Sequence, residues 1–521
     1  MIRVLPQSCD VAIVGAGPTG LMLANLLGMG GIHTVVFERR GALFSDPRAI
    51  AFDPETLRLF QTIGGYEALK PTLELDVPVH YLNAAGKTLA HLTECPSSFG
   101  HSGRGTFYQP ELEAVLASRL NEQQSVSLVR GVEVNAVDTA HDGVRLTLGC
   151  NDGVVSQCTA RYLVDCSGGS SSLRSQLGIE FSGETFSEKW LVIDVEDDDY
   201  AGREIRFFCD PQRPAVTLPV SRNRRRWEFL VLPGDDEDEF ASHANARKLM
   251  AAHGAGKRAK IVRSLVYTFH ARCADTFRRH RVLLAGDSAH VMPPFAGQGL
   301  NSGLRDAANL AWKLDGVLKG RFRESILDSY EQERRPHVEA MTRLAVRLGG
   351  TIMPTNRVRA WLRDRFMLTA WRFPGTRRKV NRGDMIPKPS IEGSALANWD
   401  SSGEVGRMID QPLLQSENGT LPLDDVIGPS FAAIGVNCRV EASLHDDDLE
   451  RLQAIGASVT SVSSASEQAF DYRDQSGSLD RLAGRTPAVL VVRPDRFLID
   501  VIKAGGKTSR LAWLSDAYGL Y

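Results

Sequence analysis

Cysteines are few and scattered in this chain, with 8 among 521 residues and no Cys-x-x-Cys pair. Disulfide-rich folds are dense in cysteine, and zinc sites place their ligands a few residues apart. The spacing therefore argues against a disulfide scaffold and predicts no metal site. It favours unpaired thiols in a reducing cytoplasm, which is the location we expect for this protein.

Long apolar runs and an excess of one charge are also lacking. The apolar stretch 11–27 is interrupted by glycine and proline, so it does not predict a membrane span, and no signal-peptide pattern precedes it. The formal net charge is −2, which gives no reason to expect nucleic acid or a membrane as a partner. With 43% hydrophobic and 24% charged residues, the chain has an ordinary globular composition.

A glycine fingerprint lies near the N-terminus. The apolar strand Val11–Val14 runs into Gly15-x-Gly17-x-x-Gly20 and then a helix, and the next apolar strand ends at Glu38. In such a turn the first glycine permits the tight bend, the second lets a pyrophosphate approach, and the third lets helix and strand pack closely. An acid about 20 residues on can hold ribose hydroxyls. The pattern predicts a βαβ dinucleotide-binding unit, and no second fingerprint of this form follows.

A second glycine-rich segment lies well past the middle of the chain. The apolar strand Val282–Ala285 stops at Gly286-Asp287, where an acid beyond a buried strand end can accept hydrogen bonds from ligand hydroxyls. Glycines at the start of the following helix let backbone N–H groups approach a ligand, and a helix N-terminus favours negative charge. The residues that form this turn and helix start are Pro293, Pro294, Gly297, Gly299 and Gly303.

Together these segments resemble the FAD-dependent aromatic hydroxylases, the class A flavoprotein monooxygenases. The resemblance rests on Gly15-Ala-Gly17-Pro18-Thr-Gly20 and on Gly286-Asp287 through Gly297-Gln-Gly299-Leu300-Asn301. It continues through Asp306–Leu314 and Tyr330–Pro336, and through the segments Trp190–Asp194 and Arg226–Phe229. Segments near the C-terminus, Asp425–Gly428 and Val492–Phe497, fit as well, so the resemblance covers nearly the whole chain.

The resemblance implies an α/β protein with three parts. A Rossmann-like FAD-binding domain is expected at 1–75, 106–178 and 276–345, interleaved with a mixed β-sheet substrate domain at 76–105 and 179–275. A helical segment and linker is expected at 346–403, and a thioredoxin-like unit at 404–521. Because that unit has no Cys-x-x-Cys, we expect it to serve stability or subunit contacts, with a homodimer as the expected assembly.

The cofactor implied is FAD, with NADH or NADPH as cosubstrate. The implied FAD-binding residues are Gly15, Gly17, Pro18, Gly20, Glu38, Arg39, Arg48, Gln109, Gly286, Asp287, Pro293, Gly297, Gly299, Leu300 and Asn301. One departure concerns Ser167-Gly168, where the family usually carries Asp-Gly. Asp165 shares a strand face with Ser167, so it is a candidate to supply the missing carboxylate.

The reaction implied is ortho-hydroxylation of a phenol with NAD(P)H and O2, through a flavin C4a-hydroperoxide. The substrate expected is 3-(3-hydroxyphenyl)propionate or a related phenol, and a substrate carboxylate would need a cation such as Arg206, Arg213 or Arg225. An FAD dehydrogenase or oxidase, and a flavin-binding redox sensor, remain the alternatives. No catalytic residue is assigned, because the nominal candidates, His80, Tyr81, Tyr108 and His290, are each better explained as structural.

Overall fold

The structure is a computed structural model of the chain. It describes residues 5–42, 47–140, 142–150, 155–381, 383, 386–391, 403–464, 470–505, 509 and 511–514.

The helices and strands are numbered here in chain order. The first stretch contains β1 (Ser8–Val14), α1 (Pro18–Met29), β2 (Thr34–Glu38), β3 (Ala51–Phe52), α2 (Pro54–Thr62), α3 (Tyr66–Leu69), β4 (Leu73–Leu75), β5 (Val79–Asn83), β6 (Thr88–Leu92), β7 (Gly105–Phe107), α4 (Gln109–Leu120), β8 (Val126–Arg130), β9 (Val132–Thr139), β10 (Val144–Cys150), β11 (Val155–Asp165) and α5 (Ser172–Gln176). The middle stretch contains β12 (Phe181–Glu196), β13 (Ile205–Cys209), β14 (Ala215–Val220), β15 (Arg224–Val231), α6 (Glu237–Phe240), α7 (His243–Ala252), β16 (Lys260–Ala274), β17 (Arg278–Arg279), β18 (Val282–Leu284), β19 (His290–Val291), α8 (Gly299–Leu318) and α9 (Asp328–Ile352).

The last stretch contains α10 (Arg357–Arg372), α11 (Pro374–Asn381), β20 (Leu413–Ser416), β21 (Gly419–Pro422), α12 (Leu423–Ile427), β22 (Ala432–Val436), α13 (Val440–Ser443), α14 (Asp446–Ala454), β23 (Ser458–Ser463), β24 (Tyr472–Asp474), α15 (Ser478–Leu482), β25 (Ala488–Val492) and β26 (Leu498–Lys503). Short 3₁₀ turns occupy Lys70–Thr72, Gly286–Ser288, Pro294–Ala296 and Glu324–Leu327. Among the described residues, no helix is long and apolar enough to cross a bilayer.

One sheet is built on parallel strands in the order β17-β18-β11-β1-β2-β8, with β9 and β10 continuing from β11. Its central strands are almost entirely buried, as expected for a parallel sheet covered by helices. Val14 pairs with Asp165 and with Phe37, and Asp165 pairs with Leu284, so the strands end together. The loops after these strands therefore share one edge, which is where ligands bind in open α/β sheets.

A second sheet is mixed, in the order β19-β16-β12-β15-β14-β13-β5-β6. The expected mixed sheet is confirmed, and β5 and β6 join it because β5 pairs in parallel with β13. One of its faces carries Leu191, Ile193 and Trp227 and is covered by Phe240 and Met250 of α6 and α7. We call the opposite face the inner face; it bears Trp190, Val192, Asp194, Arg226, Glu228, Leu230, Arg263 and Tyr267.

Within the helical segment and linker expected at 346–403, helix α11 begins at Pro374, because a proline suits the first turn of a helix. Residues 382, 384, 385 and 392–402 of that segment lie outside the described residues. The basic run Arg222–Arg226 is a turn only at Arg222 and Asn223, both with φ near +58°. Arg225 and Arg226 belong to β15 and are buried.

Candidate active site

The three glycines of the N-terminal fingerprint occupy three different environments. Gly15 has φ +103°, and a Cβ there would lie 2.5 Å from the Cys166 carbonyl oxygen. A Cβ on Gly20 would lie 2.1 Å from the Gly15 carbonyl oxygen, because α1 packs tightly on the turn. A Cβ on Gly17 would meet nothing within 4 Å. Gly17 therefore faces open space at the helix start, as close approach of a ligand requires.

The acid and the basic residues near the fingerprint follow β2. Glu38 accepts hydrogen bonds from the Ala16 N–H and the Arg40 N–H, each at 2.9 Å, so the fold holds its carboxylate beside the glycine turn. Arg39 and Arg48 are exposed. Glu38 and Arg39 therefore lie at the sheet edge where ligands bind in open α/β folds, and Arg48 lies in the loop before β3.

The turn after β18 brings Asp287 to the same edge. Gly286 has φ +62° and lies against Thr19 of α1, so the turn packs on the first helix. Surrounding protein raises the pKa of the Asp287 carboxyl, although the charges of His290 and Arg48 oppose the rise. The residue is nonetheless solvent-accessible. The carboxylate is therefore available to a ligand at this edge.

Buried charges hold this turn in place. Asp306 of α8 is fully buried and accepts hydrogen bonds from the Gly286 N–H, His290 Nε2 and Arg334 Nε at 3.0, 2.7 and 2.8 Å. Burial opposes ionisation of this carboxyl, but the charges of His290 and Arg334 outweigh it and lower its pKa to about 2. His290 is therefore engaged in holding the turn through its contact with Asp306.

The segment from Pro293 to Asn301 presents a second helix start. Gly297 adopts φ +61° after the 3₁₀ turn, and α8 begins at Gly299. The amide groups of Gly299, Leu300 and Asn301 have no hydrogen-bond acceptor among the described residues. Free first-turn amides and the helix dipole favour negative charge at this point. They suit the N1–C2=O side of an isoalloxazine ring.

Two of the expected cofactor residues have their side chains occupied by protein. The Asn301 side chain donates to the Gly297 carbonyl oxygen at 2.7 Å and accepts from Thr56 Oγ1 at 2.6 Å. Gln109 accepts from the Arg48 N–H and the Ala49 N–H at 3.0 and 2.8 Å. Both side chains thus fix the loops around the edge, and only the backbone of Asn301 is free for a ligand.

The structure answers the question raised by Ser167. Asp165 is fully buried, and its carboxylate accepts from the Ser167 N–H at 2.9 Å, from Ser288 Oγ at 3.2 Å and from Ser171 Oγ. It therefore supports the loop and does not replace a carboxylate at position 167. The Ser167 residue itself is exposed.

The edge of the parallel sheet at which β1, β2, β11 and β18 end is called the cofactor edge below. The inner face of the mixed sheet covers this edge. Arg226 Nη2 and Arg263 Nη2 each donate to the Pro47 carbonyl oxygen at 2.6 Å, and both arginines pair with Asp194. At the other end, the ring of Phe295 in the proline turn lies 5.8 Å from those of Trp190 and Phe269. The face therefore closes over the edge from the charged cluster to an aromatic layer.

Glu228 lies between those two ends, and it was missed from the sequence. It pairs across the sheet with Val192 and Val216, so its neighbours in the row are apolar. Its nearest cation is Arg226, with Nη1 4.0 Å from Oε1, and it makes no hydrogen bond within the described part of the chain. Burial raises the pKa of the Glu228 carboxyl against the charge of Arg226. The alternation in Arg226-Trp-Glu228-Phe was the available signal, since it places both charges on one face.

The arginines named as candidates for a substrate carboxylate each pair with a carboxylate of the protein. Arg213 pairs with Asp235 at 2.7 Å and stacks on Phe240 of the covered face. Arg225 pairs with Asp198 at 2.7 Å. Arg206 pairs with Glu204. Alternation along β13 and β15 turns Arg206 and Arg225 away from the inner face.

The remaining nominal candidates are structural in this arrangement. Burial raises the pKa of the Tyr81 hydroxyl far above its ordinary value, and its ring stacks on Phe207 at 4.8 Å. His80 Nε2 shares a hydrogen bond with Thr88 at 2.8 Å. The Arg224 guanidinium lies 4.2 Å over the Tyr108 ring.

The residues present fit FAD. Gly17 offers an open cradle at one helix start, α8 offers free amides at another, and Glu38 and Asp287 supply carboxylates at the same sheet edge. The donor set matches the pyrophosphate, ribose and flavin of a dinucleotide.

Comparison with known proteins gives a consistent result. A family model described as FAD binding domain matches residues 8–345, and one described as HcaD C-terminal domain matches residues 406–517. The 3-(3-hydroxy-phenyl)propionate/3-hydroxycinnamic acid hydroxylase 2 of Burkholderia vietnamiensis is 40% identical over 523 residues, covering 96% of this chain and 95% of the relative. The 3-(3-hydroxy-phenyl)propionate/3-hydroxycinnamic acid hydroxylase of Klebsiella pneumoniae is 38% identical, with 94% and 91% covered.

Solved structures resemble the fold over the same length. The flavin-dependent monooxygenase PieE, in complex with FAD and substrate, has a TM-score of 0.83 at 19% identity, covering 99% of this chain and 100% of that one. The aklavinone-11 hydroxylase complex with FAD and aklavinone has a TM-score of 0.80 at 21% identity, with the same coverage.

Proposed function

This chain belongs to the FAD binding domain family, and we propose that it is an FAD-dependent monooxygenase that uses NAD(P)H and O2 to ortho-hydroxylate a phenol with a carboxylated side chain. The observation that carries the proposal is the contact between the proline turn of the cofactor edge and the aromatic layer of the mixed sheet. A flat aromatic substrate held there lies against the flavin end of the site. The names of the similar relatives favour 3-(3-hydroxyphenyl)propionate or 3-hydroxycinnamate as the substrate class.

When bound, FAD supplies the redox chemistry of oxygen transfer. Gly17 and the first turn of α1 would receive the pyrophosphate, Glu38 would receive a ribose, and Asp287 would accept from a hydroxyl of the chain between phosphate and flavin. The amides of Gly299 and Leu300 would stabilise negative charge on the flavin. Arg39 and Arg48 remain proposed phosphate contacts.

The protein's own chemistry is to bind the ring, exclude water and move one proton. Trp190, Phe269 and Phe295 form the apolar wall that excludes water from the reacting carbon. Glu228 Oε accepts the phenolic proton, which increases electron density at the ortho carbon where oxygen is added. A carboxylate with a raised pKa, and with no hydrogen bond from the described residues, suits a base acting near neutral pH.

Labelled oxygen tests the reaction. Turnover of 3-(3-hydroxyphenyl)propionate with NADH or NADPH under ¹⁸O₂ should give a dihydroxy product with one labelled oxygen. Label from water would overturn the monooxygenase mechanism. NAD(P)H oxidation yielding only hydrogen peroxide would favour the oxidase alternative, and flavin without any substrate-dependent turnover would favour the sensor.

Cofactor retention tests the site. The purified protein should be yellow, and acid precipitation should release FAD to the supernatant. Asp287→Ala should bind FAD about ten- to a hundredfold more weakly, because a charge-assisted hydrogen bond is lost. Equal retention would remove Asp287 from the site.

The C-terminal unit, 404–521, we propose to have a thioredoxin-like fold. Its support is a sheet in which β23 is parallel to β22 and β24, while β25 and β26 are antiparallel. Arg493 donates to Glu333 of α9 at 2.8 and 3.0 Å, and Arg58 of α2 donates to Asp424 at 2.7 Å. These buried pairs tie the unit to the cofactor domain.

A homodimer remains a proposal, through the edge hairpin of that unit. Leu413 and Leu421 on β20 and β21 are exposed, and β21 is an edge strand able to pair with another copy.

We propose a cytoplasmic location as well, since the seven cysteines with described side chains are unpaired. The domain boundaries given above also stay proposals.

A further inference from the structure

Helix α10 turns an apolar stripe outward. Val358, Trp361, Leu362 and Phe366 are spaced one helical turn apart along it, and Phe366 is 74% exposed. With Phe373 just beyond, these five are among fourteen large apolar side chains exposed in the described residues, and they include all of the aromatic ones. Contiguous apolar surface of this kind marks an interaction site.

The stripe faces outward because the other side of the helix is anchored. Ala360 and Arg363 are buried, and Arg363 Nη2 donates to the Cys209 carbonyl oxygen of β13 at 2.6 Å. Helical periodicity then places positions 358, 361, 362 and 366 on the side away from the mixed sheet. Their exposure is therefore a consequence of how the helix is held.

Helix α10 and the next helix, α11, together carry a strong positive charge. Residues 357–381 contain eight cations and one acid, Asp364, so the segment has a net charge of +7 in a chain whose total is −2. Asp364 pairs with Arg363. The other seven cations are exposed: Arg357, Arg359, Arg365, Arg372, Arg377, Arg378 and Lys379. No membrane partner was expected from the sequence, because the net charge of the whole chain conceals the positive charge of this segment.

We propose that α10 and α11 dock the enzyme on an anionic lipid bilayer surface. Apolar and aromatic side chains flanked by arginine suit the boundary between headgroups and acyl chains, and anionic headgroups complement the charge. The Arg365 guanidinium lies 5.3 Å over the Trp361 ring, a pair that presents both chemistries together. A second copy fits less well, because an isologous contact would bring two surfaces of +7 together.

The docking surface adjoins the proposed substrate layer. Met353, just before α10, packs with Trp190, Phe269 and Phe295 in one apolar cluster. Docking would therefore set the substrate side of the enzyme toward the bilayer. This consequence rests on the proposed function, whereas docking does not and is tested without turnover.

Vesicle sedimentation of the full-length FAD-loaded protein is the test. Binding should be at least about tenfold stronger to phosphatidylglycerol-containing vesicles than to pure phosphatidylcholine, and should weaken with salt. W361S/F366S should lose most of this binding. R377Q/R378Q/K379Q should lose about fivefold for each neutralised cation. Brominated lipid should quench tryptophan fluorescence in the parent, and much less in Trp361→Phe.

Matched variants elsewhere on the surface separate docking from nonspecific adsorption to vesicles. V155S/V262S removes exposed apolar side chains, and R203Q/R258Q removes exposed cations; both should bind vesicles like the parent. Retained FAD absorbance verifies folding of every variant. No binding by the parent, or equal binding by W361S/F366S, would overturn the proposal. So would a dimer by light scattering that W361S/F366S converts to a monomer, since the surface would then be a subunit interface.

Discussion

The cofactor edge and the inner face of the mixed sheet lie against each other, yet they are built in opposite ways. The edge is local: Gly15 to Glu38 and Gly286 to Asn301 each carry a ligand pattern within a few tens of residues. The inner face is assembled from strands far apart in the chain, so Glu228 meets its neighbours Val192 and Val216 only after folding. A short motif can therefore predict where a cofactor binds without predicting which residue acts on the substrate.

The largest expected effect is at the inner face. Glu228→Gln should lower turnover of the phenol by about 10²- to 10⁴-fold, because a positioned base is lost. FAD affinity should not change, since no hydrogen bond or ion pair joins Glu228 to the cofactor-edge turns among the described residues. Glu184→Gln, an exposed acid on β12, is the matched control.

The pH profile sharpens this prediction. Turnover needs ionised Glu228, so in the parent it should fall as pH drops through the raised pKa of this carboxyl. The glutamine variant should lack that acid limb. If the variant keeps both the acid limb of the profile and the rate of the parent, Glu228 has only a structural role. The inner face would then contribute no catalytic base.

The next effect concerns the buried charges under the edge. Asp306→Asn should cost about 3–5 kcal/mol of unfolding free energy, because Arg334 and His290 keep their burial and lose a charged partner. The exposed pair partner Asp328, changed to Asn, should cost under about 1 kcal/mol. Thermal unfolding of the FAD-loaded protein measures both. A similar small loss in the two variants would show that the turn holds itself.

Acid sensitivity gives the same group a second readout. The folded pKa of Asp306, about 2, lies below its ordinary value of 3.8. Its contribution is therefore complete above pH ~4 and is lost as pH falls toward 2. Asp306→Asn should remove that part of the acid dependence, measured as unfolding midpoint against pH.

A third prediction separates binding from folding within the fingerprint. Gly17→Val should fold, because φ −77° suits any residue and the side chain meets open space. It should weaken FAD binding by roughly 10- to 100-fold, since the added volume fills the ligand's place. Gly20→Ala should destabilise the fold itself, because its Cβ would strike the Gly15 carbonyl oxygen.

Fluorescence titration with FAD and thermal unfolding separate these outcomes, with Gly350→Val, also in open space, as the control. Normal FAD affinity in Gly17→Val would contradict the placement of the pyrophosphate.

Sequence patterns located the strands of the parallel sheet and both glycine turns, because hydrophobic period and glycine spacing are local properties. They did not reveal that the side chains of Gln109 and Asn301 form hydrogen bonds within the protein, since partners 60 and more residues away are set by tertiary packing. They also left Arg206, Arg213 and Arg225 as candidates for a substrate carboxylate. Strand alternation would have warned against Arg225, which is out of phase with the inner-face residue Arg226.

The smallest effect is expected at the departure from the family pattern. Ser167→Asp should leave flavin reduction by NAD(P)H equal or faster, within about fivefold, because one exposed charge is worth under about 1 kcal/mol. The Ser167 N–H, which Asp165 holds at 2.9 Å, is kept in the variant, so the loop should not move. Anaerobic stopped-flow reduction, with and without the phenol, measures the rate, and Ser170→Asp on the same exposed loop controls for charge. A large loss in Ser167→Asp alone would mean that the serine has its own role at the cofactor edge. Local motif reading would then fail at the edge as well as at the inner face.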